Sequence, residues 1–253
     1  DTTETQYLLG EQDRIVCIYC FTVRPPEARK EKPKVSAFTS AKIDRIVALE
    51  PDLVIGFSDL QADIAAELIR EGIEVLVLNH RSVQQILDMV QRLGALVGAA
   101  DRASAWIADI EQRLDALRAA RPPEAERPLV YFEEWDEPIL TGIRWVAELI
   151  EIAGGRDCFP EHSCQPLGKD RILADPGEVI RRAPDIIIGS WCGKKFRPDK
   201  VAARPGWDAI PAVRDGEVHE IKSALILQPG PAALTDGLDE LVRIVGDWHR
   251  RTH

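Results

Sequence analysis

The stretch that decides the fold runs from Lys42 to Phe57 and reads KIDRIVALEPDLVIGF. Ile43, Ile46, Val47 and Leu49 share one side of a helix, Pro51-Asp52 breaks it, and an apolar burst follows that closes on Gly56. The burst LVIG shows no alternation of polar and apolar residues, which is the pattern of a strand covered on both faces in a parallel sheet. The same idea returns at Ile172–Trp191, ILADPGEVIRRAPDIIIGSW. Here Val179, Ile180 and Ala183 form the helix face, Pro184-Asp185 the break, and Ile186-Ile187-Ile188-Gly189 the buried run. Helix, Pro-Asp, strand, glycine thus occurs once in each half.

Working outward, the first half continues with AAELIREG as a helix closed by Gly72, IEVLVLNH as a strand and SVQQILDMVQRLGALVG as a helix. The second half supplies RPLVYFEEW, IRWVAELIEIAGG, GEVHEI and ALTDGLDELVRIVGDWHR in the same alternation. Strands alternating with helices at this length predict βα units and parallel sheets. Between the halves, Trp106, Ile110, Leu114 and Leu117 keep helical spacing from Asp101, a capping residue, to Arg121 ahead of Pro122-Pro123. Such a helix is a rod of roughly 30 Å. The predicted fold is α/β: two parallel-sheet lobes of three αβα layers, residues 1–100 and 127–253, bridged by one rigid helix over 101–122, with a ligand cleft between the lobes. Fusion of both halves into one sheet is the alternative.

With 253 residues, 45% apolar and 29% charged, the chain has the composition of a globular protein with a substantial core. A net charge of −10 argues against a nucleic-acid or anionic-membrane footprint, which needs clustered Lys and Arg. No apolar run approaches the roughly 20 residues that cross a bilayer. The opening DTTETQYLLG has neither the basic nor the apolar region of an export signal, and shows no lipidation cysteine. Five cysteines are an odd number, against a disulfide framework. Cys17 and Cys20 form a CxxC inside a strand-like IVCIYCF, whereas redox pairs open a helix; Cys158 and Cys164 flank a loop.

No catalytic template is present. HExxH, GxSxG and GxGxxG are absent, and GSWCGKK at 189–195 departs from a phosphate loop in its glycine spacing and in the Lys195 that replaces the metal-binding hydroxyl. Glu133 and Glu134 are neighbours in a strand, which sends them to opposite faces. Neither an enzyme nor a resident cofactor or metal is expected.

Ligands of parallel sheets sit beyond the carboxyl ends of the strands. In the first lobe those exits carry Tyr19, Phe21, Arg24, Phe57, Ser58 and His80; in the second, Glu133, Trp135, Arg144, Trp145, Trp191, Cys192 and Gln228. An aromatic wall suits a large, flat, partly apolar ligand, and Arg24 with Arg144 suits its polar periphery.

The run VRPPEARK…KPKVSAFTSAKIDRIVALEPDLVIGF, with GWDAIPAVRDGEVHEI later, resembles periplasmic solute-binding proteins of ABC importers, the helical-hinge class that binds cobalamin and iron–siderophore complexes. The resemblance covers nearly the whole chain and is strongest to the cobalamin branch. It implies a monomeric carrier that holds a corrinoid between the lobes and delivers it to a membrane permease, with an acidic residue on each lobe docking to permease arginines. The matching positions fall at Asp63 and at Gly177, beside Glu178. It also implies an extracytoplasmic location, and a first strand ahead of Thr2–Leu9 that this sequence does not show. An iron siderophore or haem is the alternative ligand. A cytoplasmic metal- or cofactor-handling protein using Cys17, Cys20 and Cys192 is the rival from another class.

Overall fold

The computed structural model describes residues 2–37 and 39–252. The chain divides into two compact units: the first holds the chain up to His80 together with Gln84–Ala108, the second Arg81–Val83 and the chain from Asp109 onward.

The first unit runs α1 (Thr2–Leu8), β1 (Ile18–Tyr19), α2 (Pro26–Glu31), β2 (Lys34–Ser36), α3 (Ile43–Val47), β3 (Val54–Phe57), α4 (Ala62–Arg70), β4 (Val75–Leu78), α5 (Val83–Leu96) and the start of α6 (Ala100–Ala119). Its strands form two separate parallel pairs, β1 with β2 and β3 with β4, the latter in unbroken register from Val54↔Val75 to Phe57↔Leu78. Val35, Ile46 and Leu68 are buried together, with Ile43, Leu49, Val54 and Val75 packed around them. The strand β2 is too short, and its Lys34 and Ser36 too polar, for periodicity to reveal it. The expected burial of β3 on both faces is not met: every one of its residues is half-buried. A strand's faces are sealed only by segments packed over them, and among the described residues those over β3 leave all four of its residues partly accessible.

The second unit continues α6 and then runs β5 (Leu129–Asp136), β6 (Ile139–Thr141), α7 (Arg144–Ile152), β7 (Arg156–Asp157), α8 (Pro160–Ser163), α9 (Gly177–Arg182), β8 (Ile186–Gly189), α10 (Pro198–Ala202), α11 (Pro211–Arg214), β9 (Val218–Glu220), α12 (Ser223–Ile226), a π-helical turn (Ala233–Gly237) and α13 (Leu238–Thr252). Its sheet has the order β6-β5-β8-β9, with β7 parallel to the start of β5 and only β6 antiparallel. Here β8 lies between β5 and β9, and all four of its residues are buried. Tyr131, Val179, Ile187, Phe196, Trp207 and Ile210 form a core on the sheet.

The echo is structural as well as sequential. In each copy a non-glycine residue in the left-handed region stands directly ahead of the Pro-Asp and turns the chain toward the strand: Glu50 at φ 46°, three residues past the end of α3, and Ala183 at φ 50°, the cap of α9. In the second copy Asp185 also accepts a hydrogen bond from Leu129 N at 2.7 Å, tying the start of β8 to the start of β5. Asp52, its counterpart, is exposed. The 20-residue α6 matches the predicted helix, and the division between units falls within it, at Ala108/Asp109.

Candidate functional site

At the carboxyl ends of β1 and β3 the first unit gathers aromatic rings. Tyr19 lies 5.4 Å from Phe21 and 5.9 Å from Phe57 between centroids, tilted and edge-on respectively. Phe21 is 54% exposed, so part of its ring is open to solvent. The strand β3 stops because Ser58 adopts φ 53° and its hydroxyl caps the following turn by accepting from Leu60 N at 3.3 Å. Gln61 is buried and accepts from Phe57 N at 2.9 Å, fixing the phenylalanine's backbone. His80 is half-buried two residues beyond β4. Arg24 does not stand free beside these rings; it donates to Glu4 of α1 at 2.8 Å.

The second unit corrects much of its expected wall. Glu133, on β5, is fully buried and receives the Arg204 guanidinium on both oxygens (2.6 and 2.9 Å), the Tyr131 hydroxyl (3.0 Å) and the Trp191 indole (3.0 Å). A carboxylate so enclosed needs its guanidinium partner, since an unpaired buried charge is costly. Trp191 is 3% exposed and stacks edge-on against Phe196, and Trp145 is 5% exposed with its indole donating to Ile226 O at 2.8 Å. Glu133, Trp145 and Trp191 are therefore core residues, because an internal partner for each polar atom lets these large side chains pay their hydrophobic dividend inside. Arg144 is exposed but bound to Glu148 at 2.8 Å, one helical turn on.

What the second unit leaves accessible at its strand exits is Trp135 and the loop after β8. Trp135 is half-buried and donates to Glu137 O at 3.0 Å. Lys194 lies over Trp135 at 5.1 Å and over Trp191 at 4.9 Å, while its ammonium also pairs with Asp136 at 2.7 Å. Cys192 is exposed on that loop, and partial desolvation of its thiol, with the Glu134 carboxylate as the lesser cause, raises its pKa. Gln228, beyond α12, keeps its side-chain oxygen buried and unpartnered, as does the Ser190 hydroxyl at the exit of β8. Glu134 faces away from Glu133, as alternation requires, and is clamped by Arg171 at 2.6 and 3.3 Å. Arg171 and Arg204 escaped prediction because each reaches its glutamate across a wide sequence interval, which leaves no local pattern.

Of the two docking candidates, Asp63 is exposed in the first turn of α4. Glu178 is held by Arg181 (2.6 Å) and Arg182 (3.0 Å), and the Arg181 hydrogen bond keeps its carboxyl below the usual range. Among the described residues no group of three or more His, Cys, Asp or Glu could hold a metal ion, so Cys17, Cys20 and Cys192 gain no support as a metal site, and all three are free thiols. No helix among them is long and apolar enough to cross a membrane.

Comparison with known proteins agrees with this architecture. A vitamin B12-binding protein from Vibrio parahaemolyticus is 25% identical over 236 residues, covering 92% of this chain and 82% of that protein. The crystal structure of the periplasmic vitamin B12 binding protein of Vibrio cholerae superimposes with a TM-score of 0.75 at 19% identity, over 98% of this chain and 94% of that one. The periplasmic heme binding protein of the same organism gives 0.78 at 22% identity, over 97% and 94%. At these identities the two structures establish the fold alone. The sequence profile of the periplasmic binding protein family matches residues 1–225, and the chain belongs to that family.

Proposed function

We propose that this protein is the substrate-binding component of an ABC importer, that it works outside the cytoplasm, and that its ligand is a corrinoid of the cobalamin class. The family is one of binding proteins rather than enzymes. The observation that carries the ligand class is the pairing of exposed aromatic surface with neutralised cations. Phe21 is exposed and Tyr19, Phe57 and Trp135 are half-buried at strand exits of their units, while Arg24, Arg144 and Lys194 each already hold a carboxylate. A ligand rich in carboxylates, such as haem or an acidic ferric siderophore, would have to break those pairs. A broad ring with amide-bearing edges gains apolar contact without that cost, and the unpartnered Gln228 oxygen can accept from an amide. The naming of related proteins for vitamin B12 and cobalamin supports the same choice. Delivery to a permease is assigned to the exposed Asp63 of α4; Glu178 serves less well because its own arginines satisfy it.

The test is an absorbance titration of the protein with cyanocobalamin, cobinamide, haem and a ferric hydroxamate. Saturable binding of the two corrinoids is expected, weakened about tenfold or more by Phe57→Ala or Trp135→Ala. Binding of haem or the hydroxamate with no response to corrinoids overturns the ligand class. Corrinoid binding unmoved by either aromatic substitution overturns the site.

A further inference from the structure

Lys194, at the strand exits of the second unit, is seated more firmly than a surface lysine usually is. Asp136 is the last residue of β5, paired with Ile139 of β6, and its side chain is 13% exposed against 44% for Lys194. Both of its oxygens accept from the lysine ammonium, at 2.7 and 2.5 Å. The same ammonium lies over the rings of Trp135 and Trp191, at 5.1 and 4.9 Å from their centroids. The backbone of the loop after β8 brings it there. Gly193 takes up the left-handed region at φ 71°, and Lys194 N donates to Trp191 O at 3.4 Å, so the chain doubles back toward the end of β5. Each ring of the seat is itself anchored: the Trp191 indole donates to the buried Glu133, and the Trp135 indole to Glu137 O, both at 3.0 Å.

An exposed ion pair on its own contributes little, but one ammonium shared by a shielded carboxylate and two rings is held by several contacts at once. Arg144 gives the contrast. It is 58% exposed and its partner Glu148 stands one turn along the same helix, a pair that yields readily to a competing group. Arg204, whose charge also reaches Asp136, is committed to Glu133, so Lys194 is the cation that answers Asp136. We propose that Asp136 is a specificity-determining residue: by holding Lys194 over Trp135 it withholds that cation from ligand carboxylates, so the exit of β5 accepts a flat ring edged with amides and discriminates against the same ring edged with acids. This role rests on the reading of the strand exits as a corrinoid site. To reach the lysine, a ligand carboxylate must displace Asp136 and leave a shielded charge without its partner. An amide edge needs no cation and leaves the seat intact.

The test uses two corrinoids that share ring and metal: dicyanocobinamide, with an amide edge, and dicyanocobyrinic acid, with carboxylates in the same places. Each is titrated by absorbance at pH 7.5 and constant ionic strength against the intact protein and its variants. The readout is the ratio of the two dissociation constants within one protein, in which a general loss of folded sites cancels. Asp136→Asn releases the ammonium and should move the ratio toward the acid by about tenfold, the scale of one hydrogen bond to a charged group. Lys194→Met, at an exposed position, keeps an apolar stem over the rings and leaves Asp136 unanswered, so it should move the ratio the opposite way. A merely structural contribution would shift both variants in one direction. Asp215→Asn removes an exposed charge ahead of β9, at the other end of the strands, and should leave the ratio within about threefold of wild type. Cobinamide binding with a ratio unmoved by Asp136→Asn or Lys194→Met, moved the same way by both, or moved as far by Asp215→Asn overturns the role of Asp136 and leaves the corrinoid reading in place. A wild-type protein that binds neither corrinoid overturns that reading, and the role of Asp136 with it.

Discussion

At the scale of single residues, burial decides which of the reactive side chains can act. Glu133 and Arg204 form a charge pair inside the second unit, and removing either partner strands the other. Arg204→Met is expected to cost ~3–5 kcal/mol in urea unfolding, and a large part of that loss should return in the double variant with Glu133→Gln. Burial also sorts the thiols. The Cys158 thiol is pushed up to about 12, chiefly by desolvation, whereas Cys164 is exposed. Alkylation at pH 8 followed by mass spectrometry should label Cys164 within minutes and Cys158 only after unfolding. Asp157 provides a pH signature. Its folded carboxyl sits at about 6 against an ordinary 3.8, so the folded state holds the proton more tightly, and stability declines as pH rises through that interval. The gap corresponds to ~3 kcal/mol at most. Asp157→Asn should therefore raise stability at pH 7.5 by ~1–3 kcal/mol and flatten its dependence between pH 4 and 6.

At the scale of elements, the two echoed units part company at their glycines. A Cβ on Gly189, at the end of β8, would lie 1.7 Å from the Phe196 ring, whereas one on Gly56 in β3 meets nothing nearer than Gln61 Oε1 at 3.2 Å. Gly189→Ala is expected to destabilise by ~3 kcal/mol or more, and Gly56→Ala by less than ~1 kcal/mol. Thermal unfolding of the two variants checks this. The contrast lies in what covers the glycine: the Phe196 ring from the loop after β8 lies directly on Gly189, whereas Gly56 has only the end of the Gln61 side chain near it. The positions of both strands were legible in their apolar runs, since local hydrophobic density is written in consecutive residues. The depth of burial was not, because it depends on which distant segments cover each face.

For the molecule as a whole, the units differ in how completely they bury apolar surface. Among the described residues the large apolar side chains left exposed include Leu8, Val16, Phe21, Val23, Leu60, Ile69, Val77 and Leu96, all in the first unit, against Ile172 in the second. Local opening free energy follows buried apolar contact. Hydrogen exchange should accordingly be slowest in β5 and β8 and at least about tenfold faster in β1–β4, a difference that mass-spectrometric exchange resolves; equal protection of the two sheets would contradict it.

By itself the sequence determined the class of this protein. Repeated helix, Pro-Asp and apolar strand announce α/β units, and the spacing of Trp106, Ile110, Leu114 and Leu117 announces the 20-residue helix α6. These are properties of neighbouring residues, and periodicity reports them directly. Only the tertiary structure decided which strand-exit side chains face outward. It sent Trp145, Trp191 and Glu133 into the core, paired Arg24 with Glu4, and left Phe21 exposed with Tyr19, Phe57 and Trp135 half-buried. An aromatic or charged residue at a strand end serves a core as readily as a ligand. The choice rests on whether a distant chain segment brings its indole an acceptor or its carboxylate a guanidinium, and that is a fact of three-dimensional contact.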